Sequence, residues 1–216
     1  MAGKKPDQAA VAARIPAGAT LAQVRRLAAD CKACGLWRNA TQTVFGEGAE
    51  RPAVMLIGEQ PGNQEDLQGR PFVGPAGRVL DRALEAAGIG RDAVYITNAV
   101  KHFKWTRKGK LRIHQKPSAQ EIEACRPWLD AEIALTRPKV VVCLGATAAQ
   151  AMLGSKFRLT HHRGEFFSIA QKPPVTATVH PSAVLRAPTD EERHAMTQQL
   201  IDDLKVVARK LRKVGP

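Results

Sequence analysis

Four cysteines and a set of polar residues that follow short apolar runs are the parts of this sequence able to do chemistry. Cys31 and Cys34 form a C-x-x-C pair, a spacing that brings two thiolates onto one metal. Cys125 and Cys143 lie far along the chain, and no cysteine is left over. In a reducing compartment disulfides do not persist. A four-thiolate site that closes the domain is the expectation, and zinc and a [4Fe–4S] cluster both accept such a set. The competing reading makes Cys125 and Cys143 plain buried hydrophobes.

The polar set is Glu59 and Gln60 after the run AVMLI, Asn98 after VYIT, and His180-Pro181-Ser182 after the run 174–179. A carboxylate, two amides and an imidazole can together hold, orient and polarise a small polar ligand. A glycine-rich stretch, GEQPG at 58–62 and GRPFVGPAG at 69–77, allows a backbone to approach that ligand closely. Phe72 within it can stack on a flat base, or anchor the loop in the core. Residues 101–116 hold five lysines, two arginines, two histidines and no acid, with Phe103 and Trp105 interleaved. That mixture suits a single-stranded nucleic-acid groove with stacking platforms; a solvated loop is the plainer alternative.

These residues need a scaffold. The runs at 53–57, 94–97, 140–144 and 174–179 read as buried strands. Helical periodicity and stop signals place helices at 21–30, 76–87, 118–135 and 146–153, with a last helix opened by Thr189 and Glu192. Ser118 and Glu121 form a capping box. Strands alternating with helices predict a three-layer α/β/α sandwich around a four-stranded, mainly parallel sheet. In such sheets ligands bind beyond the carboxyl ends of the strands, where the polar set falls.

The chain has 216 residues, 44% hydrophobic and 25% charged, with a net charge of +13. That length fits one domain, 21–216, after a flexible basic tail, 1–20. The charge points to a polyanionic partner. No apolar stretch approaches the ~20 residues that span a bilayer. The tail lacks a continuous apolar core, so a cytoplasmic protein with no membrane partner is expected.

The G-E-x-P-G loop, the G-R-P-F-V-G-x-A-G stretch, the segment H-P-S-x-x-L-R at 180–186 and the four cysteine positions resemble the iron–sulfur, family 4 type uracil-DNA glycosylases. The resemblance runs from about Leu21 to the final helix. It implies a [4Fe–4S] cluster on Cys31, Cys34, Cys125 and Cys143, and uracil in DNA as substrate. Two features depart from the common pattern. Gln60 stands where the family usually has a small residue, and KGKLRIH at 108–114 is a basic insertion. Both are similar to the UdgX branch, in which the histidine of an R-I-H loop becomes covalently attached to the abasic sugar. Here that histidine is His114, and Leu111 stands where such loops often have another basic residue.

The resemblance implies a role for each residue. Phe72 stacks on a flipped uracil, Asn98 reads its O4 and N3–H edge, and Gln60 contacts the substrate. His180 donates to the charge developing on O2. Glu59 orients His114, which replaces the water of ordinary relatives. Lys110, Arg112, Ser182 and Arg186 hold phosphates. The expected protein is a monomeric base-excision repair enzyme, acting on uracil-containing DNA with single strands preferred, and trapped after one turnover. A conventional, turning-over relative is one alternative, and a non-catalytic iron–sulfur nucleic-acid-binding protein another.

Overall fold

Unbroken runs of aliphatic and β-branched residues make the central strands, because a strand covered on both faces needs apolar side chains on both. The computed structural model describes residues 8–214. In chain order its strands are β1 (Glu47–Gly48), β2 (Val54–Gly58), β3 (Val94–Asn98), β4 (Trp105–Lys108), β5 (Leu111–His114), β6 (Val140–Leu144) and β7 (Val175–Thr178). The helices are α1 (Gln8–Ala13), α2 (Leu21–Ala29), α3 (Asn63–Gln68), α4 (Pro75–Ala86), α5 (Ala119–Thr136), α6 (Ala146–Leu153), α7 (Leu159–His162), α8 (Pro181–Leu185) and α9 (Asp190–Val214).

The main sheet has the order β1-β3-β2-β6-β7. β3, β2, β6 and β7 are parallel, and β1 runs antiparallel at the edge of β3. Leu56 of β2 lies opposite Ile96 on one side and Val142 on the other. The pleat sends alternate residues to opposite faces. Val54 and Leu56 pack with Leu80 and Leu84 of α4 and Leu200 and Leu204 of α9. Met55 and Ile57 pack with Leu129 and Ile133 of α5 and Ala148 and Met152 of α6. The result is the expected three-layer sandwich.

Three details differ from the expectation. The sheet has a fifth strand, because two-residue β1 is too short to leave a periodic signal. Residues 105–114 form an antiparallel hairpin, Trp105 opposite His114, turning at Gly109 with φ 61°. Its faces are mostly exposed, so it carries no apolar alternation. The tail is also shorter than 1–20: α1 packs on α5 and Val11 is buried, while residues 1–7 lie outside the described part. Helix caps follow the sequence signals, with Ser118 accepting from the Glu121 amide and Thr189 from that of Glu192. Among the described residues, no helix is long and apolar enough to cross a membrane.

Candidate active site

The parallel strands deliver their following residues to one edge of the sheet. β2 leads to Glu59 and Gln60, β3 ends at Asn98, β6 leads to Gly145 and Thr147, and β7 leads to His180. With Phe72 and His114 they line one cavity of about 810 Å³, a size suited to a small-molecule or nucleotide ligand.

Phe72 holds a left-handed backbone, φ 55°, which costs a non-glycine residue roughly 1–3 kcal/mol. Its ring stacks on the His180 imidazole at 5.9 Å and 30°. Two glycines make room for this arrangement. A Cβ on Gly77 would lie 1.7 Å from the Phe72 carbonyl oxygen. A Cβ on Gly58 would lie 2.3 Å from Asn98 Oδ1 and 2.7 Å from the Phe72 ring. Asn98 is buried, and its Oδ1 has no hydrogen-bond partner. A buried acceptor left open beside a cavity calls for a donor from a ligand.

His180 is held by its own loop. Its Nδ1 accepts from the Ser182 amide at 3.1 Å and lies 2.8 Å from Ser182 Oγ. Arg186 donates to that same Oγ at 2.9 Å, leaving the hydroxyl hydrogen for His180. An Nδ1 that accepts leaves the neutral ring's proton on Nε2. Burial pushes the His180 pKa down to about 4, against the attraction of Glu59, so the ring is neutral at physiological pH.

Glu59 Oε1 lies 3.3 Å from His114 Nε2. Burial pushes the Glu59 carboxyl up, but hydrogen bonds from His114 and Thr147 outweigh it and the net shift is downward. Glu59 is therefore an ionised acceptor next to a half-exposed imidazole.

Two side chains expected to touch substrate or phosphate fix the hairpin. Gln60 donates to the carbonyls of Lys104 and Gln115 at 3.2 and 3.0 Å and accepts from the Lys104 amide at 3.1 Å. Its amide thus clamps both ends of the hairpin. Arg112 donates to fully buried Asp66 at 2.6 Å and to Asn63 at 2.7 Å, with its guanidinium over Phe103 and Trp105. Both rings stack on Arg112; Phe103 is buried and is not an open platform, while Trp105 is half-buried. Lys101 is also buried, paired with Glu132 beneath the sheet end. Lys110 stays on the exposed turn. Ser182 and Arg186 reach the cavity wall while holding His180.

Three of the four cysteines come together. Cys31, Cys34 and Cys125 share an apolar nest with Phe45, Val100 and Trp128. A hydrogen bond from Cys125 draws the Cys34 thiol down to about 5, against burial, with the His102 ring adding to the shift. Cys143 lies elsewhere, in β6 among Met55, Ile57 and Leu129, where burial pushes its thiol up. The structure does not join it to the other three. Among the described residues no group of three or more His, Cys, Asp or Glu is drawn tightly enough to grip a single ion. A four-iron cube is held at its corners, with its ligands spread wider than those of one ion.

Sequence reasoning missed Thr147, Asp66 and His102. Thr147 follows a strand end and was findable by the rule that placed Glu59. Asp66 and His102 carry no spacing signal, since each acts through a partner distant in the chain.

The family model described as "Uracil DNA glycosylase superfamily" matches residues 45–205. The chain is 36% identical to a type-4 uracil-DNA glycosylase of Sulfurisphaera tokodaii, over 78% of this chain and 77% of the relative. It is 37% identical to a type-4 uracil-DNA glycosylase of Thermotoga maritima, over 79% of this chain and 85% of the relative. It is 33% identical to that of Archaeoglobus fulgidus, over 81% and 87%.

Proposed function

This chain belongs to the type-4 uracil-DNA glycosylase family, and from that premise we propose that it excises uracil from DNA and then captures the abasic sugar on His114. The observation that carries the second step is the pairing of His114 Nε2 with Glu59 Oε1 at the mouth of the cavity.

A base inside a duplex is out of reach, so uracil enters the cavity flipped or from a single strand. Phe72 stacks on it. The open Asn98 Oδ1 accepts from N3–H, which cytosine lacks, so the site rejects cytosine by leaving two acceptors face to face. As the C1′–N1 bond breaks, its electron pair leaves with the base and charge gathers on O2. The neutral His180 donates Nε2–H to that oxygen, and its loop fixes the ring in advance.

The sugar is left as an oxocarbenium ion. Glu59 holds one ring nitrogen of His114, so the other keeps its lone pair and bonds to C1′. The ring becomes cationic and passes its remaining N–H proton to Glu59. The alkylated imidazole is a poor leaving group, and the adduct persists. The exposed lysines and arginine of the hairpin, Arg107, Lys108 and Lys110, supply charge for a DNA backbone that need not be double-stranded. Cys31, Cys34 and Cys125 would hold a [4Fe–4S] cluster, which would supply a cross-link between the end of α2 and α5.

The test is a denaturing gel of protein mixed with a uracil-containing oligonucleotide, beside His114→Ser. A heat-stable shifted band, lost in the variant, is expected. Free abasic DNA with no shifted band would mean that Glu59 activates water and the enzyme turns over.

A further inference from the structure

We propose that Lys32 and Arg38, gathered on the ring of Trp37, form a phosphate clip that holds the DNA strand on one flank of the uracil. The inference rests on the uracil-excision reading given above and assigns a path to its DNA.

The clip is built from one short segment. A single 3-10 turn, Gly35–Arg38, follows α2 and the C-x-x-C pair. The Lys32 ammonium lies 5.0 Å and the Arg38 guanidinium 5.4 Å from the centre of the Trp37 ring. The negative face of an indole attracts each cation and so gathers two like charges that repel one another. Both side chains are exposed, and among the described residues neither makes an ion pair. Elsewhere on the surface carboxylates meet their cations, as in Arg70 with Glu47, Lys104 with Glu121 and Lys172 with Asp130. Two cations assembled on one ring without a counter-charge make a site for an anion that both can share.

Position selects the anion. Trp105 Nε1 donates to the Asn39 carbonyl at 2.9 Å, which fastens the turn to the hairpin one residue beyond Arg38. Trp105 lies opposite His114, and His114 lines the cavity. The hairpin adds Arg107, Lys108 and Lys110, which are also exposed and without ion pairs among the described residues. Positive charge therefore continues from the mouth of the cavity to the clip, the pattern that tracks a nucleic-acid backbone.

The sheet gives the clip a side. The hairpin follows β3, next to one edge of the sheet, and Arg186 follows β7 at the other. A strand with its base in the cavity meets the β7 wall on one flank and the clip on the other.

The test measures binding of full-length protein to a uracil-free single strand over a series of salt concentrations, so that no excision intervenes. The proteins are wild type, Lys32→Ser/Arg38→Ser, Lys32→Arg/Arg38→Lys and Arg209→Ser/Arg212→Ser. The last removes the same charge from exposed positions of α9. Uracil release is then compared on strands trimmed on one flank or the other.

Each phosphate contact to a single strand contributes about 0.7 to the slope of log affinity against log salt, so Lys32→Ser/Arg38→Ser is expected to lose about 1.4. With the two lines meeting near 1 M salt, that is a loss of about 25-fold at 0.1 M. Lys32→Arg/Arg38→Lys and Arg209→Ser/Arg212→Ser keep the wild-type slope. Trimming one flank slows uracil release by wild type but not by Lys32→Ser/Arg38→Ser. An unchanged slope in Lys32→Ser/Arg38→Ser, or an equal loss in Arg209→Ser/Arg212→Ser, would overturn the clip and leave uracil excision standing. Wild-type protein that binds no DNA would overturn the excision reading and the clip together.

Discussion

His114, at the end of an exposed hairpin, lies 3.3 Å from Glu59, which leaves the buried strand β2. The pair joins an exposed hairpin to the buried sheet, and the hydrogen bond works only while both the carboxylate is ionised and the hairpin is in place. Glu59→Gln tests the first condition. The amide no longer takes up positive charge from the ring, and adduct formation should slow on the order of 10²-fold. An unchanged rate on the denaturing gel would remove Glu59 from the capture step.

Arg112→Ala tests the second condition. The variant strands Asp66 as a buried, unpaired carboxylate, which typically costs roughly 3–5 kcal/mol. The unfolding midpoint in urea should fall, and adduct yield should fall more than uracil release. Were Arg112 a phosphate contact, stability would hold and the salt dependence of DNA binding would lose about one unit of slope.

Gly58→Ala places a methyl group 2.3 Å from Asn98 Oδ1 and 2.7 Å from the Phe72 ring. Both side chains proposed to read the base must move. Excision should drop by about 10²-fold or more, the scale of losing a site's hydrogen bond to its substrate. Uracil release with kinetics like wild type would mean that Phe72 and Asn98 do not form the base pocket.

His180 links the site to pH. Its folded pKa is lowered from 6.5 to about 4 by burial, with Arg186 and His114 adding to the shift and Glu59 opposing it. Between these values the unfolded chain binds a proton that the folded chain does not. The contribution to stability is complete above pH 6.5 and is lost as pH falls through about 4. It amounts to roughly 1–3 kcal/mol. Thermal unfolding at pH 7 and pH 4.5 should show wild type losing more stability than His180→Gln; equal losses would sink the assignment.

Much of the fold was legible because its strands are uninterrupted apolar runs and its helices carry caps, such as Ser118 with Glu121. The hairpin was not, since Arg107, Lys108 and Lys110 make it polar on both faces and its support comes from Gln60 and Asp66, far away in sequence. Charge counting pointed to a polyanionic partner but overstated the free charge of residues 101–116, since Lys101 and Arg112 pair with Glu132 and Asp66. Cys143 shows the limit of counting cysteines. Within VVVCL nothing sets it apart, and the structure places it among Met55, Ile57 and Leu129, away from the other three.

The hairpin enters and leaves the fold at a single point, where the Gln115 amide meets the Lys104 carbonyl at 2.9 Å and Gln60 closes over both. Everything from 105 to 114 is therefore a side branch whose removal, with Lys104 rejoined to Gln115, leaves the path of the sheet unbroken. Such a branch is portable. On the proposed reading, the step from hydrolysis to capture is carried by these ten residues together with Gln60, which clasps their base, and Glu59, which meets His114.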